Sequence, residues 1–380
     1  MIKWNKEMRQ IHRALDGKVR LVGGAVRDHL AGSPIKDYDF CTPILAEEAI
    51  HLIYNAQNDV ADCLGTGLDH GTFTVLFKSG NRYEVTTLRK DVDCDGRHAK
   101  VEFTDDYLID AARRDFTFNA MSCDIDGNLY DYFGGQQDLV NGLTVFVGDS
   151  YARIKEDYLR MMRYFRFSAR FGFDPTHPAT RVTLEAIAKN VEGLQQVSVE
   201  RIWSEMQRIL NEPPARAVPV VEAMRNSLVL GNARIPCNDV NRICEAIQCF
   251  DTPETKLAAM WHPADIKKNA EALRWSKDQI DRAVFVHQYY PLSLCDAKNL
   301  IALGRVKNIK WVVEALRNHD NAEEVYKFYA GPPIFPINGD DVLARGVKGK
   351  AIGLVLRALK DIWISKEFTH TRQQLLDMIE

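Results

Sequence analysis

Leu21-Val22-Gly23-Gly24-Ala25-Val26-Arg27-Asp28, followed by Lys36-Asp37-Tyr38-Asp39-Phe40, is the stretch from which the fold of this chain can be read. A short apolar strand, Val19–Val22, runs into two glycines and then into a helical segment from Ala25 to Ala31. Glycine lets the backbone approach a ligand closely, and a helix start offers free N–H groups at the positive end of its dipole. Arg27, on the first turn, can fork onto phosphate oxygens. Two glycines after a strand also make an ordinary turn, so the next segment matters. In an extended chain residues i and i+2 point to the same side, which makes Asp37 and Asp39 converge. Neighbouring carboxylates repel unless a cation lies between them. A pair of Mg²⁺ ions, which take oxygen ligands from few carboxylates plus substrate phosphates, is the natural partner. Taken alone, the pair also fits a solvated strand end.

Further along, Thr72–Phe77 and Arg82–Leu88 are β-rich, and Ser79-Gly80-Asn81 between them makes a hairpin turn. Glu84 is a charge inside that run. It becomes a third carboxylate at the metals if its strand lies beside Tyr38–Cys41, and otherwise marks an exposed face. Asn119–Ile125 and Thr144–Val147 are further strand candidates, and residues 90–105 read as a polar, mobile loop. From Ser150 onward the apolar period becomes helical. Tyr151–Phe171 reads as one long helix, in which Asp157, Arg160, Arg163 and Arg166 recur every three residues as a slowly drifting polar stripe. An acid that accepts from an amino group and an arginine that donates to ring acceptors can read a base edge. The other arginines can hold phosphates, and surface ion pairing along the helix is the competing explanation. Arg114, in Arg113-Arg114-Asp115, sits where a helix gives way to a strand and can meet a triphosphate.

Composition bounds the reading. With 380 residues, 46% hydrophobic and 27% charged, the chain is of ordinary globular type, which excludes disorder and collagen-like structure. No apolar run approaches a membrane span, and the start lacks the apolar run of a signal peptide. Eight scattered cysteines without a CxxC pair point to reduced thiols in a cytoplasmic protein. Residues 1–150 hold 16 Lys and Arg against 24 Asp and Glu, whereas the remainder holds 33 against 28. An acidic first part can concentrate divalent metal and a basic second part can follow a phosphate backbone. His319-Asp320 has none of the further ligands that a phosphohydrolase metal site needs.

Taken in order, these segments resemble the class II CCA-adding tRNA nucleotidyltransferases of the DNA polymerase β-like superfamily, which includes bacterial poly(A) polymerases. The matching residues are Gly23–Asp28, Asp37-Tyr38-Asp39, Glu84–Arg89, Asp95-Gly96-Arg97-His98, Arg113-Arg114-Asp115, Glu156–Arg160 and Ser198–Ile202. The resemblance implies an α+β head with a mixed sheet over residues 1–141. Helical neck (142–210), body (211–330) and tail (331–380) would follow, in an elongated molecule. It implies that Asp37 and Asp39 hold two Mg²⁺ ions, with Glu84 completing the catalytic set. Gly23, Gly24, Arg27 and Arg114 would contact the nucleotide, Asp157 and Arg160 would read C and A, and Arg163 and Arg166 would support that site. Residues 90–105 match the loop such enzymes need for the final A. The implied partners are CTP, ATP and the 3′ end, acceptor arm and TΨC arm of tRNA. Lys307, Lys310, Arg345, Lys348 and Lys350 are candidate phosphate contacts. A poly(A) polymerase, a CC- or A-adding specialist, and an RNA-binding protein on a decayed transferase fold are the alternatives. The basic Leu-x-Gly-Arg-Arg-Phe signature of the first is absent.

Overall fold

The structure is a computed structural model that describes residues 2–56, 59–94, 99–236, 240–316 and 319–379. Asp95-Gly96-Arg97-His98 therefore lies outside the described residues. The chain forms two compact units, Met1–Gln248 with Ala272–Arg274, and Cys249–Glu271 with Trp275–Glu380.

In the first unit the strands are β1 (Arg20–Val22), β2 (Asp39–Thr42), β3 (Val60–Gly67), β4 (Thr72–Phe77), β5 (Arg82–Thr87), β6 (Arg89–Cys94), β7 (Ala99–Phe103), β8 (Ser122–Cys123) and β9 (Leu129–Tyr130). Seven of them make one mixed sheet in the order β3-β4-β5-β2-β1-β8-β9, in which β2 and β5 run parallel. The alternation in β4 and β5 decides the faces. Phe73, Val75, Phe77, Tyr83 and Val85 are buried on one side, together with Phe40 of β2. The N-terminal segment and helices α1 (Lys6–Ala14) and α3 (Ala46–Ala56) contribute Trp4, Met8, Ile11, Ala49 and Ile53 to the same buried set. Trp4 meets Phe40 edge-on at 5.4 Å between ring centroids. The opposite side of β4 and β5 carries Thr74, Arg82, Glu84 and Thr86, all partly or fully exposed. Between β1 and β2 lies α2 (Gly24–Leu30); α4 (Tyr107–Ala112) and α5 (Gly135–Val140) follow, then α6 (Ser150–Glu156), α7 (Leu159–Phe171), α8 (Pro178–Asn190) and α9 (Val199–Leu210).

Three local expectations change. Residues 90–105 are largely not a loop: β6 and β7 pair antiparallel, with Lys90 opposite Glu102 and a register shift at Asp91/Asp93. Opposite charges facing across a ladder support that pairing. Thr144–Val147 forms no strand, only the single bridge Phe116–Phe146. Finally, Tyr151–Phe171 is two helices, α6 and α7, parted at Asp157, whose backbone is extended (φ −152°, ψ 108°).

The second unit is helical. Its Glu314 is 1% exposed and accepts from the Thr252 and Thr255 hydroxyls and from Arg282 at 2.8 Å. Ile337, Val342, Leu359, Trp363, Ile364, Leu375 and Leu376 form its C-terminal core. Among the described residues no helix is long and apolar enough to cross a membrane.

Candidate active site

The register of the parallel pair sets the acidic cluster. Asp39 lies directly beside Glu84 across β2 and β5. In-register neighbours on adjacent strands share a face, so both carboxylates leave the sheet on its open side. Asp37, two residues before Asp39, is exposed, as is Glu84, whereas Asp39 is half-buried. Burial, then the nearby charges of Glu84 and Asp37, push the Asp39 carboxyl up to about 6, against the opposing pull of Arg114. Glu84 and Asp37 thus both act electrostatically on Asp39. Among the described residues no three Asp, Glu, His or Cys side chains already close round a single point.

Gly23 opens the next part. Its backbone (φ 60°, ψ −117°) is one that side-chain-bearing residues avoid. A Cβ there would stand 3.1 Å from Arg114 Nη1. The turn therefore lets the guanidinium lie over the start of α2. Arg114 is aimed by Asp110, 2% exposed, which accepts from Arg114 Nη2 at 3.0 Å and Arg113 Nε at 2.9 Å. Burial drives the Asp110 carboxyl up, but Arg114 and Arg113 outweigh it and hold it below the usual range. Arg27, 8% exposed, donates to Asp28 at 2.8 Å and to Asn119 at 2.6 Å.

Asp157 sits at the α6–α7 junction. One oxygen accepts from the Leu159 amide at 3.0 Å and the other from Arg201 at 3.0 Å. Satisfying an amide at the start of α7 is what a helix-capping carboxylate does, and it is why the periodic run breaks there. Arg160 donates to the Arg153 carbonyl at 2.8 Å and to Glu156 at 2.5 Å. Arg163 pairs with buried Asp115 at 2.5 Å, and Arg166 with Glu205 at 2.7 Å. The four side chains therefore do not pair among themselves along one helix. Arg163 and Arg166 tie α7 to Asp115 and to α9. Glycine at 193 leaves no room for a Cβ against the Tyr158 ring. Gly193→Ala is thus expected to shift Tyr158 with its neighbour Asp157, costing about 1–3 kcal/mol as an overpacked site does. Thermal unfolding measures that cost.

Gly23, Gly24, Arg27, Arg114, Asp157, Arg160, Arg163 and Arg166 all line one cavity of about 450 Å³, large enough for a nucleotide-sized ligand. Asp37 and Asp39 line a neighbouring cavity that shares Gly24, Arg27, Arg166 and Phe167 with the first. Glu84 lines neither of them. The first cavity also takes in Asp91, Arg113, Asp115, Asn119 and Arg201, to which sequence reasoning assigned no role. Asp110 had a signal: it stands three and four residues before the two arginines, the spacing of helical ion pairs.

Residues 19–144 match the family described as Poly A polymerase head domain, and residues 180–230 the one described as probable RNA and SrmB-binding site of polymerase A. The Danio rerio protein named CCA tRNA nucleotidyltransferase 1, mitochondrial, is 34% identical over 387 residues, covering 95% of this chain and 87% of that protein. The chain belongs to the CCA tRNA nucleotidyltransferase family. A Geobacillus thermodenitrificans CCA-adding enzyme is 41% identical over 203 residues, 53% of this chain and 47% of that enzyme. The Bacillus stearothermophilus CCA-adding enzyme, solved in complex with CTP, shares the fold at TM-score 0.72 and 23% identity over 99% of this chain and 97% of that one. Nucleotidyltransferases of this family generally use divalent metal ions.

Proposed function

We propose that this member of the family adds C, C and A to the 3′ end of tRNA from CTP and ATP, without a nucleic-acid template, releasing pyrophosphate. The observation that carries the reading is the in-register pair Asp39–Glu84 with Asp37 two residues away. The donor set suits Mg²⁺. It consists of hard carboxylate oxygens, and burial, then the charges of Glu84 and Asp37, push the Asp39 carboxyl up to about 6, which a bound cation would offset. An open cluster also fits an ion that takes its remaining ligands from substrate phosphates. Asp37 and Asp39 would hold two Mg²⁺ ions, with Glu84 beside them. Bound there, the ions would activate the RNA 3′-hydroxyl and offset charge on the departing pyrophosphate.

The chain's own residues do the rest. Gly23 and Gly24 let the nucleotide approach the backbone, while Arg27 and Arg114 hold its phosphates and sugar. Asp157 and Arg160 read the base edge, aimed by Arg201 and Glu156. Arg163 and Arg166 fix α7 in place through Asp115 and Glu205. The β6–β7 hairpin, which brings Asp91 to the nucleotide cavity, corresponds to the segment needed for the last A. In this reading residues 1–141 are the catalytic part, 142–210 the base-reading part, and 211–330 and 331–380 the parts that grip the acceptor and TΨC arms. Lys307 and Arg345 already pair at the surface, with Asp281 and Asp377. Such a grip on phosphates predicts a tRNA affinity that falls steeply with salt, measured by filter binding; a flat response contradicts it. Buried thiols at Cys41 and Cys123 suit a reducing compartment, cytoplasm and mitochondrial matrix alike.

Incubation with tRNA lacking its 3′ end, with CTP and ATP together and apart, tests the function. Addition of three nucleotides, only when both are present, is expected. A long oligo(A) tail would make it a poly(A) polymerase, and a stop after two C residues a CC-adding specialist. Binding without incorporation would leave an RNA-binding protein.

A further inference from the structure

Arg160 and Arg114 line one cavity but come from different elements, Arg160 from α7 and Arg114 from the segment after α4. A side chain that does not line the cavity joins them. Arg153 of α6 is 11% exposed. Its Nη2 donates to the carbonyls of Arg113 and Arg114, the latter at 2.7 Å. Its Nη1 donates to Glu156 Oε2 at 2.5 Å, and Arg160 Nη1 donates to the same oxygen at 2.5 Å. The main-chain carbonyl of Arg153 accepts a further bond from Arg160 Nη1 at 2.8 Å. Carbonyls at a helix end lack helical partners, and an arginine fork can serve several acceptors at once. Asp110 thus aims the side chains of Arg113 and Arg114, while Arg153 holds the backbone that carries them. A separate chain of bonds, from Arg27 to Asn119 at 2.6 Å and from Asn119 to Asp115 at 2.9 Å, ends on Arg163.

We propose that Arg153 is a positioning residue on which base choice depends: through Glu156 and the Arg113–Arg114 backbone it sets Arg160 at a fixed offset from Arg114. The assignment rests on the function proposed above and names a determinant of its specificity. A nucleotide presents its triphosphate and its base edge as two ends of one ligand. The phosphates are the same in every nucleotide, so contacts to them carry no information about the base. Discrimination requires the base reader to stand at the right distance once the phosphates are seated, and a misplacement of about 1 Å is costly. Cytosine offers an amino donor where uracil offers a carbonyl acceptor. An arginine held by two acceptors on one side cannot swing to suit both edges, whereas a released one can. Arg153 itself touches no part of the nucleotide in this scheme.

The test follows single-nucleotide addition with CTP and with UTP, and inhibition of CTP addition by inorganic tripolyphosphate, which fills the phosphate seat without a base. Arg153→Met keeps the apolar stem and removes every donor. It is expected to lower the ratio of kcat/KM for CTP to that for UTP roughly tenfold, while tripolyphosphate inhibits within about twofold of its wild-type strength. Arg153→Lys can reach a carbonyl or Glu156 but cannot fork onto both, so its ratio is expected to fall between. Each variant is assayed well below its melting temperature. Loss of folded protein lowers both rates alike and leaves their ratio unmoved, which separates positioning from mere support of the fold. A wild-type CTP/UTP ratio in either variant overturns the assignment. So does tripolyphosphate inhibition that weakens in step with CTP use, because the phosphate seat would then have collapsed as a whole. No CTP addition by the wild type would instead contradict the proposed function itself.

Discussion

Asp39→Asn is expected to abolish nucleotide incorporation while raising the melting temperature in metal-free buffer at pH 8. The carboxyl titrates near 6 in the folded protein, because burial and then Glu84 and Asp37 disfavour its charge; an unfolded aspartate titrates near 3.9. A folded-state value above the unfolded one means that the protonated form favours folding. That contribution is complete below about pH 4 and is lost as the pH rises through 6. Two units correspond to about 2–3 kcal/mol given up at pH 8, which the amide would recover. For a unit of this size that is about 4–12 °C. Differential scanning calorimetry from pH 4 to 8 reads it directly: the variant's advantage should shrink towards zero at the acid end. Adding Mg²⁺ and CTP should stabilise the wild type and not the variant. A variant with near-normal incorporation would remove Asp39 from the chemistry.

Asp110→Asn should be costly in the opposite sense. The carboxylate is buried and serves two arginines and the Arg89 amide at once. Deleting its charge leaves two guanidiniums without their counter-ion, a loss of about 3–5 kcal/mol for a buried pair broken on one side. The melting temperature should fall by about 6–20 °C. Because its carboxyl sits below the unfolded value, its stabilisation is present above pH 4 and disappears as the pH falls through the folded value. The gap between variant and wild type should therefore narrow in acid. With Arg114 no longer held over Gly23, KM should rise for CTP and ATP alike while base choice stays unchanged. Asp106→Ala is the control: it removes only the cap of α4, through the Leu108 amide. It should cost about 1 kcal/mol and leave KM alone.

Much of the site is local in the sequence, and that part was legible. The glycine turn, the i, i+2 aspartates and the alternation around Glu84 are each encoded within a few residues. Whether Glu84 stands beside Asp39 is not, since β2 and β5 are parallel and joined through α3, β3 and β4. There the family resemblance supplied an expectation that periodicity could not. The break at Asp157 escaped because its spacing from Arg160, Arg163 and Arg166 fits a continuous helix. What interrupts the helix is a cap on Leu159 and a pairing with Arg201, 44 residues on. Strand β3 carries Gly65 and Gly67 and pairs irregularly with β4, so no clean alternation announced it. The partners of Arg163 and Arg166, Asp115 and Glu205, lie 48 and 39 residues away from them, beyond the reach of any local pattern.

In the proposed site Asp37 and Asp39, the latter beside Glu84 on the open face of the sheet, hold divalent ions shared with the nucleotide. Titration of Mn²⁺ by electron paramagnetic resonance, with CTP present, tests it most directly. Two ions bound per wild-type chain, and the loss of at least one in both Asp37→Asn and Asp39→Asn, is the predicted result. Full binding of both ions by the Asp37→Asn/Asp39→Asn double variant would contradict it.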